Sequence, residues 1–267
     1  MGQTTGDGTV GKALEVLDQV AGFGRPVRFS ELLAQSPFPK PTLYRLVQTL
    51  TNQHMLAFDL DRQTYTPGLR LVRLAHAAWE QSTLAPIARP HVEMLSKAVG
   101  ETVHLAQLDN AQVLYVDKRN AGQPVEMYSQ AGKIGPAYCT GVGKVMLAFS
   151  PPDRIDAVIN QQSFHVFTEH TLAGQDALRE ELADIRTNGY GFDREEHEPG
   201  IICVAMPILS ETGRVHGALS VTSTTERTNL AGLEAYVPVL RDTAAGIARD
   251  IRNWSFPDYD TTENTGM

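Results

Sequence analysis

Two stretches of the chain carry residue types from which chemistry can be built. The first is Gly141-Val142-Gly143-Lys144. Its glycines and lysine suggest a phosphate loop, which also needs an earlier glycine and a Ser or Thr after the lysine to hold phosphate and magnesium. Tyr138 and Val145 stand at those two places, so nucleotide binding is not expected. What remains is a helix that opens on glycine, whose free N–H groups can hold a small anion. The second stretch is Pro39-Lys40-Pro41-Thr42-Leu43-Tyr44-Arg45-Leu46-Val47-Gln48-Thr49-Leu50. Leu43, Leu46, Val47 and Leu50 recur at i, i+3, i+4 and i+7, one apolar stripe on a helix, while Arg45, Gln48 and Asn52 point the other way. One face packs, and the other presents long hydrogen-bonding side chains of the kind that read DNA.

Other chemical candidates read more simply as structure. Cys203 follows His197 by six residues, but nothing nearby in sequence would orient such a pair, and a buried, unreactive thiol suits the apolar run around it. The run Asp193-Arg194-Glu195-Glu196-His197-Glu198 precedes Pro199-Gly200 and reads as a solvated acidic loop. His91, His104 and His216 lack ligand-like spacing. No catalytic residue, metal site or cofactor is expected.

These residues need elements to position them. From Thr9, read as an N-cap, Val10, Ala13, Leu14, Leu17 and Val20 keep helical spacing until Gly22 and Gly24. Val27, Arg28 and Phe29 are a short extended piece, and Ser30 is read as the cap of a second helix at 31–35. A proline-rich connection at 36–40 leads into a third helix at 41–52, with Pro41 at its first position. Together they make a helix-turn-helix. Extended runs at 55–58 and 63–66 around a polar turn form a wing with Arg62 at its tip, suited to phosphate contact. A helix at 69–81 is apolar beyond one stripe, as a linker helix packing on a partner would be. Beyond it the pattern gives a helix at 87–99, strands at 102–108, 113–118 and 125–129, and helices at 141–149, 153–161 and 175–188. Strands at 201–209 and 214–222 follow, joined by Glu211-Thr212-Gly213, and then a last helix at 229–253. Grouped hairpins between helices indicate an antiparallel α+β domain. Residues 1–8 and the tail at 254–267 are polar and expected to be disordered.

Bulk composition fits this division. The 267 residues carry a net charge of −8, but residues 1–82 hold 8 Lys+Arg and 7 Asp+Glu, leaving 15 and 24 for the remainder. The acidity belongs to the larger part, so a small DNA-binding module at the start of the chain is compatible with it. Cys139 and Cys203 are the only cysteines and form no CxxC pair, which suits a reducing, cytoplasmic setting. No apolar run approaches the roughly 20 residues needed to cross a bilayer, so no membrane partner is expected.

With these segments assembled, the chain resembles the IclR-type bacterial transcriptional regulators from about Thr9 to Asn253. Three segments carry the resemblance: the winged helix-turn-helix with Pro39-Lys40 and Thr42-Leu43-Tyr44-Arg45-Leu46, residues 132–149 (GKIGPAYCTGVGKVMLAF) and residues 189–223 (GYGFDREEHEPGIICVAMPILSETGRVHGALSVTS). It implies a winged helix-turn-helix DNA-binding domain at 9–68, a linker helix at 69–82 and an effector-binding and oligomerisation domain at 83–253 with a GAF-like or profilin-like sheet. It also implies a pocket whose effector contacts would be Gly141, Val142, Asp193, Cys203, Ser220 and Thr222. Elementary chemistry agrees: helix-start N–H groups favour a carboxylate, and residues two apart on a strand face one side. The implied DNA-facing set is Arg28, Ser30, Lys40, Thr42, Tyr44, Arg45, Gln48, Thr49 and Arg62. Three positions depart from the family's usual pattern: Pro37 for glycine, Pro41 for serine and Thr222 for serine. The segment AYCTGVGK also resembles regulators of sugar-acid breakdown. The expected protein is a cytoplasmic, ligand-responsive regulator of a catabolic operon that senses a sugar acid, keto acid or aromatic acid. Its partners would be double-stranded operator DNA, that effector, and itself, as a homodimer or a dimer of dimers. The alternative is a metabolic enzyme with an accessory N-terminal module, using Cys203.

Overall fold

A computed structural model describes residues 8–81, 84–122 and 127–253. The expectations for residues 1–7, for the start of a strand at 125–126 and for the tail at 254–267 lie outside them. The chain divides into two compact units between Gln81 and Ser82.

The first unit runs α1 (Gly8–Gly22), β1 (Val27–Arg28), α2 (Phe29–Gln35), α3 (Lys40–Asn52), β2 (Leu56–Asp59), β3 (Thr64–Pro67) and α4 (Leu69–Gln81). Its three strands pair antiparallel in the order β1-β3-β2, with Phe58 opposite Tyr65 and Val27 on the other side of Tyr65. Leu43, Leu46, Val47 and Leu50 of α3 close a core with Val16, Val20, Leu32 and Leu56. Three helix starts differ from the sequence reading. α1 begins at Gly8, which puts Thr9 in its first turn. α2 begins at Phe29, so Ser30 lies inside it; the Arg28 N–H donates to Glu31 Oε2 at 2.9 Å, and Arg25 holds the same carboxylate at 2.7 Å. The carboxylate on the third helical residue thus satisfies the N–H of the N-cap residue itself, a different donor from the one a serine cap would take. α3 begins at Lys40, so Pro41 is its second residue, where the missing N–H still costs nothing.

The second unit is built on a six-stranded antiparallel sheet in the order β6-β5-β4-β9-β8-β7. The strands are β4 (Thr102–Asp109), β5 (Gln112–Arg119), β6 (Ile134–Pro136), β7 (Gly191–Arg194), β8 (Ile201–Leu209) and β9 (Val215–Thr224), and the helices are α5 (Leu84–Val99), α6 (Gly141–Ala148), α7 (Pro152–Ile159), α8 (Gln175–Asn188), α9 (Leu230–Glu234) and α10 (Val237–Asn253). Period-two alternation assigns the faces. Val103, Leu105, Ile202, Val204, Leu219 and Val221 point to one side and pack on α5, α9 and α10. Ala106, Val113, Tyr115, Ala205 and Ala218 point to the other and pack on α6, α7 and α8. Two short strands, β6 and β7, were not expected, and residues 127–130 form no strand. The last helix is two: Pro238 lacks the N–H that a helix continuing from α9 would need, and α10 starts afresh beside it.

Candidate functional site

The second face of the sheet does not bury apolar residues throughout. His104 on β4, Cys203 on β8 and Ser220 and Thr222 on β9 continue the alternation beneath the start of α6. Register brings them together, since His104 pairs with Ser220, and Cys203 with Thr222. Gly141 and Val142 open α6 above them, and Asp193 on β7 pairs with Cys203 at the side. All six residues implied for the effector pocket therefore line one cavity, together with Ile201 and with His104, Tyr115, Ser129, Thr140, His197 and Glu198. Sequence reasoning missed these last residues, because strand register places His104 and Tyr115 here and connecting segments place the other four, and neither shows in sequence spacing.

Glycine at the start of α6 is a packing requirement. A Cβ on Gly141 would lie 2.5 Å from Cys203 Sγ, and one on Gly143 would lie 2.4 Å from the Ala137 carbonyl. Thr140 precedes the helix, but its hydroxyl donates to the Pro136 carbonyl at 2.7 Å and no side chain caps α6. The first N–H groups are thus left to whatever enters the cavity.

The opposite wall is a network of neutral donors and acceptors. His104 Nδ1 lies 3.2 Å from Thr222 Oγ1 and 3.4 Å from Ser220 Oγ, while Nε2 lies 2.9 Å from Ser129 Oγ. Burial, with Lys118 nearby, lowers the imidazole to about 3, so it is uncharged at any physiological pH. Asp193 goes the other way. Burial first and then the Glu196 carboxylate raise it to about 7, although its Oδ1 accepts the Glu196 N–H at 2.8 Å. The Cys203 thiol is pushed up by burial and by Asp193 well beyond its ordinary range. It is a soft wall, not a thiolate nucleophile.

Lys144 settles the phosphate-loop question from a different direction. It is 0 % exposed and its Nζ pairs with Glu196 Oε1 and, at 3.0 Å, with Glu181 Oε1; Arg194 reaches Glu181 at 2.7 Å. The lysine ties α6 to α8 and to the turn after β7, its charge engaged by the two carboxylates. That turn is not the solvated acidic loop expected from the sequence. Asp193 and Glu196 are buried, because the run includes a strand that the pattern did not reveal. Among the described residues no group of His, Cys, Asp and Glu could hold a metal ion.

The cavity itself encloses about 30 Å³, room for a water and little more. Beyond His197 and Glu198 lies an open cleft of about 700 Å³ walled by Tyr128, Tyr138, Phe167 and Gln162. The chemistry belongs to the small cavity and the space to its larger neighbour. Tyr128, His197 and Phe167 stack edge-on along the boundary, and the Tyr128 N–H donates to the Glu198 carboxylate.

In the first unit the nine candidate DNA-facing residues lie on β1, α2, α3 and the wing. Arg28, Ser30, Lys40, Tyr44, Arg45, Thr49 and Arg62 are exposed, and Thr42 and Gln48 half-buried. Tyr44 keeps its ring edge-on to Phe29 at 5.9 Å. The Thr49 hydroxyl donates to the Arg45 carbonyl at 2.9 Å, leaving it acceptor capacity alone. Arg62 stands at the wing tip, 4.0 Å from Asp59, in a turn that also takes Gln63 to a φ of 53°.

Comparison with known proteins bears on both units. A family model described as "Bacterial transcriptional regulator IclR C-terminal" matches residues 76–249, and one described as "IclR helix-turn-helix domain" matches residues 9–60. The HTH-type transcriptional regulator KdgR of Escherichia coli is 30% identical over 239 residues, 90% of this chain and 91% of that protein. The crystal structure of the Thermotoga maritima IclR is similar with a TM-score of 0.73 at 29% identity, covering 91% of this chain and 98% of that one. An IclR homologue from Microbacterium hydrocarbonoxydans, complexed with 4-hydroxybenzoate, gives a TM-score of 0.80 at 25% identity, covering 92% and 100%.

Proposed function

The chain belongs to the IclR family of bacterial transcriptional regulators, and on that premise we propose that it controls a catabolic operon by sensing a small organic acid at the start of α6. The observation that carries this reading is the two-ended chemistry of one cavity. Uncapped N–H groups at Gly141 and Val142 suit a carboxylate. The uncharged His104, Ser129, Ser220 and Thr222 suit a hydroxyl or carbonyl oxygen on the same molecule. The ligand named for the Microbacterium homologue, 4-hydroxybenzoate, is an acid of that type, with a carboxylate at one end and a hydroxyl at the other. Keto acids and sugar acids meet the same description. An acid of this size would need His197 and Glu198, which stand between the cavity and the open cleft, to give way.

The first unit would dock α3 in the major groove, with Thr42, Tyr44, Arg45 and Gln48 toward bases or phosphates and Arg28, Ser30, Lys40, Thr49 and Arg62 on or near the backbone. The working form would be a cytoplasmic homodimer or dimer of dimers on a two-fold operator. The effector acts by binding one of two states of the regulator more tightly. The enzyme alternative built on Cys203 is set aside, since the family's proteins are regulators and the thiol is held protonated.

Calorimetric titration of the full chain with a keto acid, a sugar acid and 4-hydroxybenzoate, each beside its uncharged amide, tests the reading. One acid should bind, change operator retention in a gel shift, and bind at least tenfold more tightly than its amide. If the amide matches the acid, or no acid changes operator retention, the reading is wrong.

A further inference from the structure

A second cleft stands at the far end of α6, where α7 begins and β9 starts. It encloses about 200 Å³ and is walled by Gln107, Ser150, Arg154, Arg214 and His216 among others, with no carboxylate in its lining. In a chain with 31 Asp+Glu against 23 Lys+Arg, two arginines lining one cleft that has no acid in its lining are out of keeping with the overall charge. Neither Arg154 nor Arg214 has an ion-pair partner among the described residues. They come from separate elements, the first turn of α7 and the turn before β9. Nothing local in the sequence requires both to be basic.

The walls between them are fixed. Ser150 is buried and its hydroxyl donates to the Met146 carbonyl at 2.8 Å, while Gln107 Nε2 donates to the His216 carbonyl at 3.2 Å. Burial and the neighbouring Arg214 keep the His216 imidazole below its ordinary range. It is therefore a neutral ring able to give one hydrogen bond, and the cationic charge of the cleft resides on the arginines. Arginine presents its donors as a planar fork that matches a tetrahedral oxyanion edge to edge, and two such forks can hold one anion from two sides.

We propose that this cleft is a second ligand site that binds a small oxyanion of the phosphate class, either inorganic phosphate or a phosphate monoester. Three elements connect it to the effector cavity. α6 runs from Gly141 at one site to its end beside Ser150 at the other, β9 runs from Val215 to Ser220 and Thr222, and β4 runs from His104 to Gln107 and Leu108. Anion occupancy thus bears on the same helix and strands that present the effector contacts.

Isothermal titration of the full chain with inorganic phosphate and with glycerol phosphate, against sodium chloride at matched ionic strength, is the test. Phosphate or its ester should bind saturably where chloride does not, and Arg154→Ala and Arg214→Ala should each weaken binding at least tenfold. Both residues are exposed, so the variants should fold; the far-UV spectrum and urea midpoint verify this. Tighter binding of the ester identifies a metabolite as the natural ligand, and tighter binding of the free ion identifies phosphate itself. Phosphate binding no stronger than chloride, or binding retained in both variants, overturns the proposal, the second result placing the anion elsewhere on the protein.

Discussion

Gly141 has no side chain because none would fit, with a Cβ there 2.5 Å from Cys203 Sγ. Gly141→Ala should therefore force α6 and β8 apart at the cavity and weaken acid binding at least tenfold by calorimetry. Adding Cys203→Ala removes the obstructing sulfur and should restore much of the loss; a double variant no better than the single one would show that this contact is not the cause. Asp193 makes a separate prediction about pH. Its carboxyl rises on folding from an ordinary 3.8 to about 7, through burial and then Glu196. Between those values the native state keeps a proton that the unfolded chain has lost, so stability falls as pH rises through that window and levels off above about 7. At about 1.4 kcal/mol per unit the loss is on the order of 4 kcal/mol. Urea denaturation at pH 5, 6, 7 and 8 should show wild type losing stability relative to Asp193→Asn, and parallel curves would refute the assignment. Neither this carboxyl nor His104 was legible as special from its neighbours in sequence. Asp193 stands in a run of charges that looks solvated, and His104 is one polar residue in an apolar strand. What distinguishes them is pairing with Cys203 and Ser220, partners that only the sheet register supplies.

Elements were more legible than contacts. The helix at 175–188 and the strand at 201–209 have the expected bounds, since one repeats its apolar residues over 14 positions and the other is a nine-residue apolar run. β6 and β7, of three and four residues, are too short to show a period. α6 is legible as a helix, but the destination of Lys144 is not, because Glu181 on α8 and Glu196 on the turn after β7 are 37 and 52 residues away in sequence. Glu196 Oε2 is buried without a partner, so loss of the lysine would leave both carboxylates without their buried cation. Lys144→Ala should destabilise the fold by about 3–5 kcal/mol, measured as a fall in urea midpoint. A change under 1 kcal/mol would mean that water reaches the cluster. For α3 the apolar stripe gave the buried face directly, and its complement gave the exposed one. Arg45→Ala should then cost about 1–3 kcal/mol of operator affinity if it reads a guanine. In a gel-shift titration against the operator and a scrambled duplex, an unchanged ratio of affinities would move the reading face elsewhere.

Two units, one near-neutral and one acidic, divide the work of the molecule, and this division was legible from the charge balance and the change in pattern after residue 82. How the halves influence each other was not, because coupling is a difference between states and a single sequence encodes both. Thermodynamics nevertheless constrains it. If the acid changes operator affinity by some factor, the operator must change acid affinity by the same factor, in the same direction. Regulatory couplings are typically about 1–3 kcal/mol, or roughly 5- to 150-fold. Four titrations close the cycle: operator with and without saturating acid, and acid with and without saturating operator, all at one salt concentration, because phosphate contacts make operator affinity fall steeply with salt. The two ratios should agree within error when the protein stays in one oligomeric state. Disagreement at a protein concentration where sedimentation shows a single species would mean that the acid binding read in the titration is not the binding event linked to DNA. In that event the anion cleft beside Arg154 and Arg214 is the next place to look, because the same helix and strands reach it from the other side.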